Sequence, residues 1–159
     1  RSCIELGTAV GISAAYQGAA LRLNGGGALV TLEGATSLAT IARNNIRKLG
    51  LDTVDVVTGR FEDTLPHVLA SRKPVDYVFV DGHHDEHATV GYFDQLLPFL
   101  TEISLLVFDD IAWSDGMKRA WRRIAQRAEV EVAVDLGPVG LCVIDRTVAA
   151  QRYFAIPLS

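Results

Sequence analysis

Short apolar runs alternate with longer amphipathic segments along most of the chain. The apolar runs predict strands at residues 2–6, 28–33, 55–58, 76–81, 103–109, 129–135 and 141–145. The segments between the first six runs predict helices at residues 12–23, 37–49, 62–71, 87–100 and 116–128. Runs such as residues 77–80 (YVFV) are apolar on both faces, which is typical of strands covered by helices on both sides. The pattern therefore predicts a doubly wound α/β sheet.

The last two predicted strands break this alternation. Only residues 136–140 separate them, whereas a parallel crossover needs about a dozen residues or more. The expected fold is therefore a Rossmann-like, doubly wound, mostly parallel seven-stranded sheet with a C-terminal antiparallel hairpin. We expect a single domain over residues 1–159. Because a strand is predicted at residues 2–6 with no helix before it, we expect this domain to lack N-terminal helices.

Composition and charge narrow the class of protein. The chain has 159 residues, of which 49% are apolar, and its 15 Lys and Arg against 19 Asp and Glu give a net charge of -4. A nucleic-acid binder or a protein of anionic membrane surfaces needs a basic face, so neither partner is expected. No apolar run approaches the roughly 20 residues that span a bilayer. Cys3 and Cys142 lie in apolar runs and are expected to be buried free thiols, which favours a cytoplasmic location.

Acidic residues stand at the ends of four of the first five predicted strands. Ligands of an open parallel sheet bind beyond the carboxyl ends of its strands. Carboxylates clustered there repel one another unless something neutralises them. The residues at these ends are Glu5 and Gly7, Glu33, Gly59, Asp81, and Asp109 with Asp110. This edge of the sheet is therefore the predicted site of chemistry.

The segment after the first strand has the composition of a ligand-binding loop. Gly7 and Gly11 permit a close backbone turn before the helix at residues 12–23. The dinucleotide fingerprint G-x-G-x-x-G is absent because its middle glycine is replaced by Ala9. Glu33 could hold a ribose, since a carboxylate accepts hydrogen bonds from two vicinal hydroxyls. A nucleotide-containing cofactor is therefore expected, and a solvated strand end at Glu33 is the alternative.

Several motifs together carry a family resemblance. In chain order they are Glu5-x-Gly7-x-x-x-Gly11-x-Ser13, Thr31-Leu32-Glu33, Gly59, Val78-Phe79-Val80-Asp81-Gly82-His83 and Val107-Phe108-Asp109-Asp110-Ile111. The ordered set resembles the class I S-adenosylmethionine-dependent methyltransferases. It is most similar to their metal-dependent O-methyltransferases, of the catechol and macrolide-sugar types. The resemblance implies methyl transfer to a hydroxyl of a small molecule, and it allows a homodimer.

The resemblance also assigns roles at the site. S-adenosylmethionine would be bound by Glu5, Gly7, Gly11, Ser13, Glu33, Gly59, Arg60, Phe61 and Asp81. Glu33 would hold the ribose and Phe61 would flank the adenine, although Phe61 could equally be a core aromatic. Mg²⁺ would be bound by Asp81, Asp109 and Asp110. The family commonly has an amide at the last of these positions. As the alternative, Asp109 and Asp110 would cap the following helix or bond to loop amides.

Histidine supplies the expected general base. By the resemblance, His84 would take the proton from the attacking hydroxyl, and an imidazole can do so near neutral pH. His83 is the competitor, and it would point the other way if the strand pleat continued. His87 is expected to start a helix. Trp113 would either lie over the acceptor pocket or pack in the core.

Other interpretations remain. A non-catalytic cofactor-binding module and an NAD-dependent oxidoreductase are the alternative functions. Adjacent histidines in a strand diverge, so a zinc hydrolase site at residues 83–87 is disfavoured. The basic residues of the helix at 116–128 are best explained as a solvated face opposite its apolar stripe.

Overall fold

The computed structural model describes residues 1–148 and 151–156, in which strands and helices alternate as expected. The strands are β1 Ser2–Leu6, β2 Ala28–Glu33, β3 Val54–Thr58, β4 Val75–Val80, β5 Leu100–Phe108, β6 Val132–Asp135, β7 Gly140–Asp145 and β8 Arg152–Ala155. The helices are α1 Ile12–Leu23, α2 Thr36–Lys48, α3 Phe61–Arg72, α4 Glu86–Leu96 and α5 Asp115–Ala125. The strand order in the sheet is β3-β2-β1-β4-β5-β7-β6-β8. The described residues form two compact units, which divide between residues 77 and 78.

In the first unit, three parallel strands end at one edge. β1 pairs with β2 and β2 pairs with β3, with Glu5 opposite Thr31 and Glu33 opposite Thr58. The buried faces of α1 and α2 include small residues, among them Ala14, Ala39 and Ala42, which are fully buried. Small side chains let these helices approach the sheet closely. The polar ends of the three strands therefore lie side by side, as the parallel pattern predicts.

The second unit contains the predicted hairpin. β7 pairs antiparallel with β5 and with β6. Its core stacks Phe93 of α4, Phe108 of β5 and Trp121 of α5, with successive ring centroids 6.4 and 6.3 Å apart. These rings hold the two helices against the strands that end at Phe108 and begin at Gly140. The C-terminal antiparallel hairpin is confirmed.

The sheet has eight strands among the described residues, not the predicted seven. The additional strand, β8, pairs parallel with β6. All four of its residues are exposed, so burial imposes no alternation that the sequence would reveal. Its length is also short for a strand. The predicted number of strands was wrong for this reason.

Helix ends follow local capping chemistry. The side chain of Ser114 accepts a hydrogen bond from the backbone N–H of Met117 at 3.1 Å, so Ser114 caps α5. Asp109 and Asp110 do not, and the prediction that they could cap this helix was wrong. α4 ends at Leu96, earlier than predicted, because Pro98 follows in a short 3₁₀ turn.

The basic residues of α5 are exposed, and its apolar residues are buried, as expected for a solvated face. Arg119 of α5 pairs with Glu86 of α4 at 2.8 Å. Arg127, which follows the end of α5, pairs with Asp94 of α4 at 2.8 Å. These ion pairs join α5 and the segment after it to α4. Among the described helices, none combines the length and apolar character required to cross a bilayer.

Candidate active site

The loop between β1 and α1 adopts the conformation that its glycines permit. Gly11 has a φ of 87°, and a Cβ there would lie 3.2 Å from the Cβ of Ala42 on α2. Glycine is therefore required at Gly11 both for the left-handed backbone and for the close approach of two helices. Ala9, in the place of the missing fingerprint glycine, is also left-handed, with a φ of 46°. The Gly11 N–H donates to the Thr8 carbonyl at 2.8 Å, which closes a tight turn before α1.

Glu33, at the end of β2, anchors this loop. Its Oε2 accepts a hydrogen bond from the backbone N–H of Ala9 at 2.8 Å, and its Oε1 accepts one from Ala35 at 2.8 Å. The backbone N–H of Gly59 donates to the Glu33 carbonyl at 2.9 Å. The predicted loop glycines, the predicted ribose-binding carboxylate and Gly59 are thus brought together in the first unit.

Glu5 lies beneath the loop and is fully buried. Its carboxylate accepts hydrogen bonds from the Thr31 hydroxyl and from Nε2 of Gln17, the latter at 2.6 Å. Burial, and then the charge of Glu5, raise the pKa of Tyr77 to about 12. The Thr31 hydroxyl also contacts the hydroxyl of Thr8 in the loop, so Glu5 is linked to the loop through Thr31. Its contact with a cofactor stays a prediction.

Sequence reasoning missed Gln17 and Thr31 as partners of this buried charge. The signal for Gln17 is its position on α1, between the buried residues Ala14 and Leu21, where the helical period predicts an apolar side chain. A polar residue there indicates a buried hydrogen-bonding partner.

The remaining predicted cofactor residues of the first unit lie at helix starts. Ser13 is half-buried in the first turn of α1. Arg60 immediately precedes α3 and pairs with Glu62 at 3.1 Å, with most of its side chain exposed. Phe61 begins α3 and is half-buried, so it is not one of the fully buried core aromatics. Its contact with adenine stays a prediction.

In the second unit, an imidazole and two carboxylates converge. One ligand atom from each of Asp81, His84 and Asp110 lies within 4.8 Å of the others. His84 Nε2 is 3.9 Å from Oδ1 of Asp81 and 3.8 Å from Oδ2 of Asp110. These separations exceed hydrogen-bond length, and each side chain is about one third exposed. The cluster is therefore open to a small ligand.

Asp109 lies beside this cluster but is bonded differently. Its backbone N–H donates to the Val80 carbonyl at 2.9 Å, which joins the ends of β5 and β4. Its Oδ1 accepts a hydrogen bond from the backbone N–H of Asp110 at 2.9 Å. Asp109 therefore bonds to a loop amide, which was the alternative to metal binding. This bond uses only Oδ1 of its carboxylate.

The carboxylates of this site repel one another. Burial, followed by the negative charge of Asp109, raises the pKa of Asp81 from 3.8 to about 6. The charge of Asp110 acts in the same direction, and His84 opposes it. A bound cation would relieve this repulsion, and carboxylate oxygens are the ligands that hard divalent ions prefer.

The two adjacent histidines leave β4 in different directions. The strand ends at Val80, and His83 and His84 have φ values of 71° and 37°, so no pleat continues through them. Nδ1 of His83 lies 2.6 Å from the Tyr92 hydroxyl, whereas His84 faces Asp81 and Asp110. Tyr92 was missed because its place on the buried side of α4 is that of an ordinary core aromatic.

His87 and Trp113 lie near these two histidines. His87 lies in the first turn of α4, as predicted, and its backbone N–H donates to the capping Asp85 at 2.9 Å. Trp113 is 73% exposed, so the expectation that it could pack in the core was wrong. Its ring centroid lies 6.5 Å from that of His84. An exposed aromatic face therefore borders the cluster.

Comparison with known proteins gives consistent matches. A family model described as a methyltransferase domain matches residues 4–111. A catechol O-methyltransferase from Niastella koreensis is 33% identical over 113 residues, which cover 70% of this chain and 49% of that protein. The chain thus spans about half the length of this curated relative.

Solved structures agree with this match. An O-methyltransferase from Bacillus cereus in complex with SAH has a TM-score of 0.73 and 25% identity, covering 91% of this chain and 74% of its own. The O-methyltransferase TomG from Streptomyces achromogenes, in complex with SAM, has a TM-score of 0.72 and covers 90% of this chain and 72% of its own. At 24% identity, TomG supports the fold alone.

Proposed function

Because this chain belongs to the methyltransferase domain family, we propose that it is an S-adenosylmethionine-dependent O-methyltransferase domain. Its acceptor is a hydroxyl of a small molecule, and Mg²⁺ assists the transfer. The observation that carries this proposal is the imidazole of His84, which lies within 4 Å of two carboxylates at an open strand end. The family match runs through both compact units, which supports one domain over residues 1–159.

When bound, S-adenosylmethionine supplies an electrophilic methyl group on a sulfonium, and Mg²⁺ supplies charge that acidifies an acceptor hydroxyl. Glu33 would hold the ribose hydroxyls. A carboxylate has about four acceptor positions, and the amides of Ala9 and Ala35 account for two. Capacity for a vicinal diol therefore remains at Glu33.

The other predicted residues would surround the cofactor. Glu5, Gly7, Gly11 and Ser13 would line its methionine part, Gly59, Arg60 and Phe61 would flank its adenine, and Asp81 would complete the site. The left-handed backbone at Gly7 and Gly11 supports a close approach of the loop to a ligand.

The metal would be held by Asp81, Asp109 and Asp110. Their oxygens form a hard, anionic donor set that fits Mg²⁺. Burial and then the charge of Asp109 raise the pKa of Asp81. Asp109 would use Oδ2, because Oδ1 already accepts the amide of Asp110. A carboxylate in the third position makes the site more anionic than the amide that is common in the family.

His84 would remove the acceptor proton. Its side chain is about one third exposed, so a hydroxyl can approach Nε2. Asp81 and Asp110 would stabilise the imidazolium that forms, since an opposite charge within about 4–6 Å favours the charged form. Trp113 would provide an apolar wall for the acceptor beside this base.

Calorimetric titration tests the binding half of the proposal. We expect the wild type to bind S-adenosylhomocysteine and then Mg²⁺, and Asp109→Asn to bind Mg²⁺ at least 10-fold more weakly. Asp115→Asn, which changes an exposed carboxylate in the same unit, is the matched control and should bind as the wild type does. Equal Mg²⁺ affinity in Asp109→Asn and wild type would contradict the metal assignment.

Transfer of a labelled methyl group to a panel of phenols, catechols and sugars tests the catalytic half. Cofactor binding without transfer to any of them would favour the non-catalytic module. Binding of NAD in preference to S-adenosylhomocysteine would favour the oxidoreductase.

A further inference from the structure

The segment between β4 and α4 holds an unusual backbone. His83 and His84 are consecutive and both left-handed, with φ values of 71° and 37°. This conformation is uncommon for residues other than glycine, and it persists only where surrounding contacts fix it. The contacts that fix this segment therefore determine where the His84 side chain lies.

Two anchors lie on either side of His84. On the C-terminal side, Oδ1 of Asp85 accepts hydrogen bonds from the backbone N–H groups of His87 and Ala88, each at 2.9 Å. This is an ordinary helix cap, and it fixes the start of α4. On the N-terminal side, Nδ1 of His83 lies 2.6 Å from the hydroxyl of Tyr92.

Tyr92 is well suited to act as a fixed point. Its side chain is only 3% exposed, and it lies on the inward side of α4 among core residues. A buried, packed ring has little rotamer freedom, so its hydroxyl defines the position of the imidazole that it contacts. The imidazole of the next residue, His84, faces Asp81 and Asp110.

We propose that Tyr92 is a positioning residue of the candidate active site. Its hydroxyl fixes the ring of His83, and this holds the left-handed turn that orients His84 toward Asp81 and Asp110. Without the hydroxyl, the two histidines relax toward ordinary backbone conformations and the imidazole of His84 leaves the carboxylates. The catalytic meaning of this inference rests on the proposed function.

Nuclear magnetic resonance of the histidine rings tests the positioning directly. The protein is prepared without metal and with ¹³C-labelled histidine, and the His84 signal is assigned from its loss in His84→Gln. We expect Tyr92→Phe to shift the His84 ring resonances, because the ring moves relative to the face of Trp113. The His67 signal, from α3, is the internal control and should stay in place.

A double-mutant comparison tests whether Tyr92 acts through His83. We expect His83→Ala alone to shift the His84 resonances, and Tyr92→Phe to add nothing in the His83→Ala background. The matched control is Tyr153→Phe, which removes a hydroxyl that bonds to Asp135 in the same unit. That variant should leave the His84 signal unchanged.

Mg²⁺ affinity and turnover then relate the positioning to chemistry. We expect Tyr92→Phe to bind Mg²⁺ as tightly as the wild type does, because His84 is not one of the proposed metal ligands. For any acceptor that the wild type methylates, kcat should fall while the affinity for S-adenosylhomocysteine stays the same.

The outcomes separate the two proposals. A wild type that binds no Mg²⁺ and transfers no methyl group contradicts the proposed function, and the resonance experiment still tests the positioning. Unchanged His84 resonances in Tyr92→Phe, or additive effects of Tyr92→Phe and His83→Ala, would overturn the positioning role.

Discussion

Folding disfavours the charged form of Asp81, a residue of the candidate active site. Its pKa rises from 3.8 to about 6 because of burial and because of the charges of Asp109 and Asp110. The folded protein therefore holds the Asp81 proton more tightly than the unfolded chain does. For the metal-free protein, this residue makes the free energy of unfolding fall as pH rises through the interval from about 4 to 6.

Replacing Asp81 by Asn should consequently stabilise the metal-free protein at high pH. We expect Asp81→Asn to raise the free energy of unfolding by about 1 kcal/mol at pH 8, a value reduced for solvent screening of a partly exposed group. The gain should shrink toward zero near pH 4. Urea denaturation in the presence of EDTA at several pH values measures it.

The control for this prediction is Asp52→Asn. Asp52 lies in an exposed turn, so its charge has little effect on folding, and the variant should match the wild type at every pH. A metal-free Asp81→Asn protein that is less stable than the wild type at pH 8 would show that Asp81 forms a favourable interaction that outweighs its repulsion.

A second prediction for a single residue concerns Glu33 and the affinity for the cofactor. Both of its carboxylate oxygens hold backbone amides, and we assign it the ribose hydroxyls of the cofactor. Glu33→Gln keeps the shape but loses the charge and one acceptor group. We expect affinity for S-adenosylhomocysteine to fall about 10- to 100-fold in calorimetric titration, as for loss of a hydrogen bond to a charged group.

Glu102→Gln makes the same chemical change at an exposed position of β5 and should leave that affinity unchanged. If Glu33→Gln bound S-adenosylhomocysteine as tightly as the wild type, Glu33 would be only a loop anchor.

At the scale of secondary-structure elements, the packing of α5 against β7 requires glycine at Gly140. A Cβ on Gly140 would lie 2.6 Å from Cζ3 of the Trp121 ring, and Trp121 is only 4% exposed. Overpacking a buried site typically lowers stability by about 1–3 kcal/mol, and we expect that loss for Gly140→Ala. Thermal and urea denaturation measure it.

Gly91 offers a matched control on α4. A Cβ there would meet no atom within 4 Å, and the position is inside a helix. Gly91→Ala should therefore raise stability by about 0.5–1 kcal/mol. Equal effects of the two substitutions would mean that Trp121 moves aside freely and that its packing against β7 contributes little.

For the whole molecule, the sequence was most informative where burial controls the pattern. The strands with buried faces, the parallel edge that carries Glu33 and the final hairpin could all be predicted from apolar runs and loop lengths. β8 could not be predicted, because an exposed strand of four residues carries no burial pattern. The identity of the residues at strand ends was predictable, since topology alone brings such ends to one edge.

The bonding of those residues was not predictable. The burial of Glu5 against Gln17 and Thr31, and the left-handed turn that separates His83 from His84, depend on tertiary contacts between distant positions. Sequence periodicity reports which face of an element is buried, and it does not report which partner a buried polar group finds there.

The two thiols give a prediction about the opening of the folded chain. Cys3 lies in β1 and Cys142 in β7, and both are free and buried. Burial raises the pKa of Cys3, and it raises the pKa of Cys142 to about 12. Because the thiolate is the reactive form, neither should react with a disulfide reagent at pH 8 until its strand opens. We expect two reactive thiols in denaturant and none in the native protein within minutes.

Cofactor binding should slow this opening in the first unit. In Cys142→Ala, Cys3 is the remaining thiol, and it lies on the strand that leads into the glycine loop. A ligand that binds only the closed form at 100 times its dissociation constant reduces the open population about 100-fold. We therefore expect S-adenosylhomocysteine at that concentration to slow labelling of Cys3 by about 100-fold. In the double variant Cys142→Ala, Glu33→Gln, the same concentration should slow labelling by only about 2- to 11-fold, because the affinity is about 10- to 100-fold weaker. Labelling of Cys3 at the same rate with and without S-adenosylhomocysteine would contradict cofactor binding beside β1.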